Sequence, residues 1–333
     1  METTEWTVPE LLEMAGGYWS TCTLHASVKL DIFTVLDRTA RSAEDVARLL
    51  TTDLRATGML LDSLSSLGLL DKSENMYAAT PFAAAYLSKN SPDFLGHIIM
   101  HHNHLLPSWS RLDEAVATGS PIRTNDSHGV DESSRESFLM GMFNLASLLA
   151  PKVTRSIGLA GRHTLLDLGG GPGTYAVHFC LANPELTAVV LDLPTTRGYA
   201  ERTITRFNLS ERITFAAGDY HTDPMPSGFD VVWMSHILHI DGPAACAALL
   251  SKAVDSLNSG GILMVQEFIQ NDARNGPTFP ALFSLNMLLG TDTGQSYSER
   301  ELTSMMVKAG LSDVKRLDLE LPNGAGVIRG RKP

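Results

Sequence analysis

The second half of the chain alternates short apolar strand patterns with helical patterns. The strand patterns cover residues 164–168, 186–191, 213–216, 229–234 and 261–265, and helical patterns begin near Thr174, Thr195 and Pro243. This alternation predicts an α/β fold with a doubly wound parallel sheet, which binds its ligand at the carboxyl ends of the strands. A helical pattern over 298–309 and two further strands, 314–319 and 325–329, predict that an antiparallel hairpin closes a seven-stranded sheet.

The first half of the chain is mainly helical in pattern. A boundary near residue 150 therefore predicts two domains, 1–150 and 151–333. Within the first, Ser42 is a predicted helix cap. It is followed by helices over 46–50 and 53–67 and a hairpin with strands 69–72 and 76–77. This order of elements is typical of a winged helix.

The charge of the chain argues against a nucleic-acid partner. Its formal net charge is −11, whereas affinity for nucleic acid comes largely from Lys and Arg on phosphates. The second helix of the winged-helix pattern offers Arg55 alone, against Asp53 and Asp62. We therefore expect a packing and dimerisation module that makes a homodimer, and a neutral or cationic small molecule as the ligand.

The sequence also bears on the compartment. No apolar run reaches the ~18 residues that span a bilayer, and the acidic N-terminal segment lacks the basic start of a signal peptide. The three cysteines, Cys22, Cys180 and Cys246, are far apart and fit a reducing compartment. We expect a cytoplasmic protein without a membrane partner.

A glycine cluster follows the first strand of the predicted sheet, in the segment Asp167-Leu-Gly-Gly-Gly-Pro-Gly-Thr174. Gly169 and Gly171 fit the dinucleotide fingerprint GxGxxG, but Thr174 stands where Gly or Ala is required. Pro172 also removes an amide that could meet a phosphate. An acid at this strand end suits a cationic ligand, such as the sulfonium of S-adenosylmethionine, better than a dinucleotide.

Acidic residues follow the next two strands as well. Asp192, with Leu193 after it, ends the second strand and can accept both ribose hydroxyls of a nucleoside. Gly218 and Asp219 follow the third strand, where Asp219 can accept from an adenine amino group and Tyr220 can lie on the ring. The alternatives are helix caps for the acids and a core position for the tyrosine.

These motifs resemble those of the homodimeric O-methyltransferases, which include plant caffeate and flavonoid enzymes and bacterial natural-product enzymes. The matching segments are Asp167–Tyr175, Leu191–Pro194 and Gly218–Tyr220, and the helical first half matches the family's dimerisation module. The resemblance implies a Rossmann-like methyltransferase sheet and S-adenosylmethionine as cofactor, with S-adenosylhomocysteine as product. It also implies a histidine after the fourth strand as general base. His239 fits this role best, because Glu267, 28 residues later, falls where the family places the carboxylate that orients the base.

This pairing suits the chemistry of methyl transfer. A phenol has a reference pKa near 10 and a histidine one near 6.5, so an imidazole is a suitable proton acceptor near neutral pH. A carboxylate on the far ring nitrogen fixes the tautomer. The alternative is that His239 only satisfies backbone groups at a strand end. His236 is the competing base, at a spacing that does not match Glu267.

The segment departs from the family pattern at several positions. His239-Ile240-Asp241 replaces the common His-Asp-Trp, and Ser235 stands where relatives carry a cofactor-facing lysine. Ser296 falls at the place of the family's second catalytic glutamate, whereas Glu299 fits a helix start beside the Ser298 cap. Methylation of sulfur or carbon, and a winged-helix regulator that senses S-adenosylmethionine, therefore remain as alternatives to O-methylation.

The substrate is expected between the two domains. The candidate lining residues are His101, Trp109, Phe138, Met142, Phe143, His236, Phe283, Asn286 and Met287. His97 and His101 are four residues apart in a group with His102 and His104, and could share a zinc ion if a third ligand converged. No HExxH motif or cysteine pair supports this, so no metal is expected.

Overall fold

A computed structural model describes residues 5–123 and 131–333 of the chain. The chain forms two compact units. Among the described residues, one unit extends to Leu105 and includes Glu136–Asn144, and the other contains the remainder. Met1–Thr4 of the acidic N-terminal segment and residues 124–130 of the first predicted domain lie outside the described residues.

The helices and strands of the described residues are named in chain order. The helices are α1 (Val8–Gly16), α2 (Tyr18–Lys29), α3 (Ile32–Val35), α4 (Ala43–Leu50), α5 (Leu54–Ser66), α6 (Pro81–Leu87), α7 (Gly96–Trp109), α8 (Leu112–Thr118), α9 (Glu132–Ile157), α10 (Thr174–Ala182), α11 (Arg197–Arg206), α12 (Pro243–Ser256), α13 (Thr278–Gly290) and α14 (Glu299–Lys308). The strands are β1 (Arg41–Ser42), β2 (Leu70–Ser73), β3 (Met76–Ala79), β4 (Thr164–Leu168), β5 (Thr187–Asp192), β6 (Ile213–Ala217), β7 (Phe229–Ser235), β8 (Leu257–Phe268), β9 (Ser312–Arg316) and β10 (Ala325–Arg331).

A side chain caps the first turn of each of the two helices that precede the small hairpin. The Ser42 hydroxyl accepts from the backbone N–H of Asp45 at 3.1 Å, as predicted for the start of α4. Asp53 caps α5 in the same way, accepting from the backbone N–H of Ala56 at 2.8 Å. Strands β2 and β3 form the expected hairpin, and the unpredicted β1 joins it in the order β1-β3-β2. A buried apolar cluster that includes Phe33 and Leu61 supports these elements.

The large sheet has seven strands in the order β6-β5-β4-β7-β8-β10-β9. Strands β4 to β8 are parallel to one another, and β10 pairs antiparallel with both β8 and β9. The predicted α/β fold with a closing antiparallel hairpin is thus confirmed. Apolar clusters bury both faces of the sheet, and Trp233 at its centre lies 4.9 Å from Tyr175 and 5.1 Å from Phe179 between ring centroids.

Several strand limits differ from the predicted ones. Strand β8 was predicted over 261–265 but covers Leu257–Phe268, because β7 pairs with it on one side and β10 on the other. This pairing carries the buried Gln266 and Glu267 into the strand, although both are polar. Strand β9 ends at Arg316 rather than at 319. After Arg316, the N–H groups of Leu317 and Leu319 form isolated backbone hydrogen bonds.

Within residues 5–123 and 131–333, no helix is both long and apolar enough to cross a bilayer.

Candidate active site

The glycine segment forms a tight loop between β4 and α10. Gly169 has a φ of 65° and its N–H donates to the Leu191 carbonyl at 2.8 Å. A Cβ added to Gly169 would lie 2.8 Å from Ile237 Cγ2, whereas a Cβ on Gly171 would meet nothing within 4 Å. A residue without a side chain is therefore needed at Gly169, and the backbone at Gly171 faces open space.

Asp192 ties this loop to the end of β5. Its Oδ2 accepts from the N–H of Gly171 at 2.7 Å. Its Oδ1 accepts from the N–H of Leu193 at 2.7 Å and from the Thr196 hydroxyl at 3.1 Å. A carboxylate offers about four lone-pair sites, so three protein donors leave about one for a ligand. The predicted bidentate contact with two ribose hydroxyls stays a prediction. It requires the ribose hydroxyls to share the Asp192 oxygens with the protein donors.

Asp167 lies beneath the loop. Its side chain is buried, and Oδ2 accepts from the N–H of Ala176 in the first turn of α10 at 3.0 Å. Burial, with a smaller contribution from the nearby Asp192 carboxylate, raises the pKa of Asp167 to about 7. This carboxyl group therefore supports the loop from inside the protein, and its predicted contact with the cofactor stays a prediction.

The segment after β6 reaches the same edge of the sheet. The N–H of Gly218 donates to the Asp192 carbonyl at 3.0 Å. Asp219 Oδ1 accepts from the N–H of His221 at 2.9 Å. The Tyr220 ring approaches within 3.4 Å of the position a Cβ would take on Gly169. The three predicted strand-end segments thus come together around one loop.

Negative charge is concentrated around Tyr220. Burial, followed by nearby carboxylates, raises the pKa of the Tyr220 hydroxyl. These carboxylates belong to Asp192, Asp241, Asp219 and Glu267. Together with the glycine backbone facing open space, these acceptors fit S-adenosylmethionine, whose ribose and adenine are hydrogen-bond donors and whose sulfonium is a cation.

His239 lies in a 3₁₀ turn, Leu238–Ile240, shortly after β7. Its Nδ1 is 2.8 Å from Glu267 Oε2, and both side chains are buried. Burial alone would raise the pKa of Glu267, but His239 and His236 beside it hold that pKa well below its usual range. Because an ionised carboxylate only accepts hydrogen bonds, Nδ1–H of His239 is the donor. In the neutral imidazole, Nε2 is then the nitrogen that carries the lone pair.

His236 contacts the same carboxylate. Its Nδ1 lies 3.6 Å from Glu267 Oε2, and Gln266 Nε2 lies 3.1 Å from its Nε2. The ring packs on Phe268 with centroids 4.2 Å apart, and the residue has a φ of 57°, in the left-handed region. The sequence predicts His236 as a substrate-lining residue or a competing base, but it does not predict that two histidines contact one glutamate oxygen.

Aromatic side chains surround the histidine pair. Phe283 on α13 lies 4.8 Å from His239 between ring centroids, in an edge-to-face arrangement. Phe268 lies 4.9 Å from Phe283 and 4.8 Å from Phe279. Phe268 and Phe279 were missed, although Phe279 is four residues before Phe283 and so shares its helix face.

The remaining lining candidates on α13 interact with a residue that the sequence did not single out. Arg123 donates from Nη2 to the Asn286 carbonyl at 2.8 Å, and Nη1 lies 3.4 Å from Asn286 Oδ1. Met287 is buried, so it is packed within the protein. No local pattern connects Arg123 to α13, since the two are 163 residues apart.

The other lining candidates lie in different parts of the chain. In the first unit, His101 and Phe138 have ring centroids 5.3 Å apart, Met142 is half-buried and Phe143 is buried. Trp109, at the end of α7, is half-buried and belongs to the second unit. Among the described histidine, cysteine and acidic side chains, three are placed to share a metal ion, namely His236, His239 and Glu267. Within the same described residues, no third ligand converges on His97 and His101.

The residues that depart from the family pattern lie in different environments. Asp241 lies 3.5 Å from His221 Nε2, and burial raises its pKa. Ser296 is buried, with its N–H donating to Ser284 Oγ at 3.0 Å.

Glu299 and Ser235 occupy the remaining two positions. Glu299 is the first residue of α14 behind the Ser298 cap, so its interpretation as a helix-start acid is confirmed. Ser235 is half-buried at the end of β7, near the Tyr175 hydroxyl.

Comparison with known proteins identifies the family. Residues 109–312 match an O-methyltransferase domain, and residues 12–89 match an O-methyltransferase dimerisation domain. The chain is 34% identical to 3-hydroxy-5-methyl-1-naphthoate 3-O-methyltransferase of Streptomyces sahachiroi, over 97% of this chain and 94% of that one. It is 29% identical to the tetracenomycin polyketide synthesis 8-O-methyltransferase of Streptomyces glaucescens, over 97% and 96%.

Solved structures agree with this assignment. Human N-acetylserotonin methyltransferase, in complex with S-adenosylmethionine, is 25% identical with a TM-score of 0.88, over 100% of this chain and 99% of that one. An O-methyltransferase family protein from Burkholderia thailandensis is 26% identical with a TM-score of 0.88, over 99% of both chains. The chain therefore belongs to the O-methyltransferase family, and it is an S-adenosylmethionine-dependent O-methyltransferase of small molecules.

Proposed function

We propose that this enzyme methylates a phenolic hydroxyl, with His239 as the general base and Glu267 as the carboxylate that orients it. The observation that carries the proposal is the buried contact of 2.8 Å between His239 Nδ1 and Glu267 Oε2. S-adenosylmethionine supplies a methyl group on a sulfonium, which is already a good electrophile. The protein therefore has to position the acceptor oxygen and remove its proton.

The contacts of Glu267 suit an orienting role. Its Oε1 accepts from the N–H of Leu238 at 2.9 Å, and its Oε2 takes the Nδ1–H of His239. With the proton held at Nδ1, Nε2 of His239 accepts the proton of the phenol as the methyl group is transferred. The negative charge of Glu267 stabilises the imidazolium that results.

We propose that the cofactor binds along the glycine loop, against the ends of β5 and β6. The proposed contact residues are Gly169, Gly171, Asp192, Leu193, Gly218, Asp219, Tyr220 and Ser235, with Asp167 beneath them. The proposal is supported by the open space next to Gly171 and by the carboxylates around Tyr220. A negatively charged site favours the sulfonium form of the cofactor over its neutral product.

We propose a hydroxylated, fused aromatic compound as the substrate. The relatives from Streptomyces sahachiroi and Streptomyces glaucescens carry names of a naphthoate and a polyketide methyltransferase. Phe268, Phe279 and Phe283 pack together beside His239, which suits an aromatic partner.

Transfer of a labelled methyl group tests the proposal directly. Wild type, His239→Ala and Ile240→Ala are each given phenols, naphthols, thiols and carbon acids with labelled S-adenosylmethionine. Ile240 is the control because it lies in the same turn and is exposed. We expect labelling of a phenol or naphthol, a loss of about 10²- to 10⁴-fold in His239→Ala, and little change in Ile240→Ala. Labelling of a thiol or carbon acid that survives His239→Ala would contradict the general-base role.

We also propose that the protein is a homodimer through its first unit, in which the hairpin and the two preceding helices act as a winged helix used for packing. Helices α1 and α2 expose large apolar side chains, namely those of Val8, Leu11, Leu12, Met14, Tyr18 and Trp19. They overlap the matched dimerisation domain, which begins at residue 12. Sedimentation should give a dimer for wild type and a smaller mass for Leu12→Glu with Trp19→Glu. A monomeric wild type would exclude the proposal.

A further inference from the structure

We propose that His236, His239 and Glu267 form a binding site for Zn²⁺, and that the bound ion switches methyl transfer off. Two imidazoles and a carboxylate are a ligand set that zinc accepts. Their ligand atoms all lie within 4.8 Å of one another. The proposed reaction needs His239 and Glu267, but it gives no reason for the second histidine to face the same oxygen.

The spacing of the ligand atoms suits a tetrahedral ion. Bonds of about 2.0–2.1 Å to zinc place neighbouring ligand atoms about 3.3 Å apart. The two histidine Nδ1 atoms lie 2.8 Å and 3.6 Å from Glu267 Oε2, on either side of that value. The third pair, the two histidine nitrogens, lies within 4.8 Å, so the rings must close by up to about 1.5 Å through side-chain rotation to complete three of the four positions. A water molecule would take the fourth.

The groups behind these ligands are already in place. The Leu238 N–H holds Glu267 Oε1 at 2.9 Å, which leaves Oε2 as the free ligand oxygen. Nδ1 of His236 faces Oε2, and it offers a lone pair when the ring proton is on Nε2, where the Gln266 amide, 3.1 Å away and otherwise unpaired at Oε1, accepts that proton once its oxygen is turned towards the ring. That Nδ1 is buried and has no hydrogen-bond partner among the described residues. Such outer contacts orient metal ligands and are costly to lose.

The backbone at the second histidine also points to a functional site. The backbone at His236 is left-handed, with a φ of 57°, and its ring is held on Phe268. A residue kept in a strained conformation beside a reactive group is a feature of functional sites.

Zinc at this site would block the base through its tautomer. Coordination uses the lone pair of His239 Nδ1, so the ring proton must reside on Nε2. Nε2 then has no lone pair with which to accept the phenol proton. The ion also takes the Glu267 oxygen that would stabilise the imidazolium. The imidazole gives up its Nδ1 proton to solvent and takes one up at Nε2, with no net loss of protons and no oxidation, so removal of the ion restores activity.

Zinc binding to the intact, metal-stripped enzyme is measured by competition with a chromophoric chelator, without any methyl transfer. The test variant is His236→Asn, because asparagine tolerates the left-handed backbone and lacks the imidazole. His163→Asn is the control, since His163 is an exposed histidine 4.0 Å from the Glu185 carboxylate. We expect one ion per chain in wild type and His163→Asn, and an affinity at least about a hundredfold weaker in His236→Asn.

Two other outcomes overturn the site. An affinity that survives His236→Asn would place the ion elsewhere, and an absence of saturable binding in wild type would remove it. The inhibition rests on the proposed function and is measured separately, as the zinc dependence of labelled methyl transfer. A wild-type enzyme that binds one ion but keeps full activity would contradict the switch, whereas a protein with no transfer activity would leave the binding result standing and count against the function alone.

Discussion

The backbone N–H of Leu238 donates to Oε1 of Glu267 at 2.9 Å, although the two residues are 29 positions apart. The turn that carries the proposed base is therefore fastened to β8 through the backbone as well as through the ring of His239. This double attachment limits rotation of the carboxylate, so that its second oxygen points at Nδ1 of His239.

Glu267→Gln should abolish most of the activity without unfolding the turn. The amide oxygen can still accept from Leu238, but the amide NH₂ would face Nδ1 of His239. Nδ1 then becomes the acceptor and Nε2 carries the proton, so the base is lost. We expect a fall of about 10²- to 10⁴-fold in single-turnover rate, with cofactor affinity unchanged by calorimetry. A variant that keeps its rate would exclude Glu267 as the orienting residue.

Asp192→Ala should weaken cofactor binding. It removes the acceptor that holds the N–H of Gly171 at 2.7 Å and that of Leu193 at 2.7 Å. Hydrogen bonds to a charged group contribute roughly 1.5–3 kcal/mol each, so the Kd for S-adenosylhomocysteine should rise about ten- to a hundredfold.

Asp230→Ala is the matched control for Asp192→Ala. Asp230 also accepts from backbone N–H groups, at 2.8 Å from His163 and 3.3 Å from Thr164, but it lies near the amino end of β7. The Asp230→Ala substitution should lower the melting temperature and leave the Kd for S-adenosylhomocysteine unchanged. Equal Kd values for wild type and Asp192→Ala would contradict the assignment of this edge to the cofactor.

Asp167→Asn should alter how stability depends on pH. Burial raises the pKa of Asp167 from its ordinary value of 3.8 to about 7 in the folded protein. Between these two values the folded state binds the extra proton, so this residue makes stability fall as pH rises through that window, by about 4 kcal/mol in all. Above the folded pKa the effect is constant.

Asparagine keeps an acceptor for the N–H of Ala176 but cannot ionise. The melting temperature of Asp167→Asn should therefore exceed that of wild type at about pH 8, and the difference should shrink towards about pH 5. Melting curves over this range measure the difference directly. Parallel pH profiles for the two proteins would show that Asp167 has no raised pKa.

Gly169→Ala should be more harmful than an ordinary substitution of a left-handed glycine. Its φ is 65°, and a Cβ there would approach Ile237 Cγ2 to 2.8 Å. Gly161→Ala is the control, because Gly161 has a φ of 76° with nothing within 4 Å of its Cβ position. The control should lose about 1 kcal/mol of unfolding free energy. Gly169→Ala should lose more, and should also bind cofactor more weakly, which denaturation and calorimetry measure. Equal losses would show that the contact with Ile237 does not constrain the loop.

Much of the fold followed from local patterns. The strand and helix periods predicted the parallel sheet and its closing hairpin, and Ser42 and Ser298 marked helix starts by their own hydrogen bonds. Such features depend on neighbours a few residues away, so they are legible in the sequence. The pairing of His239 with Glu267 came from the spacing in a related family and not from local chemistry.

Features that join distant segments could not be predicted in this way. Strand β8 extends through Gln266 and Glu267 because two neighbouring strands satisfy its backbone, which outweighs the polarity of the side chains. The contact between Arg123 and Asn286 joins residues 163 positions apart.

The sequence by itself determined the candidates for the site, namely the glycine loop and the strand-end acids from local pattern, and the histidine and its glutamate from the family resemblance. Only the tertiary structure decided how those groups share their partners. It set His236 and His239 on one oxygen of Glu267, and it placed three protein donors on Asp192. The physical reason is that hydrogen-bond partners are set by three-dimensional distance, and parallel strands bring together ends that are far apart along the chain.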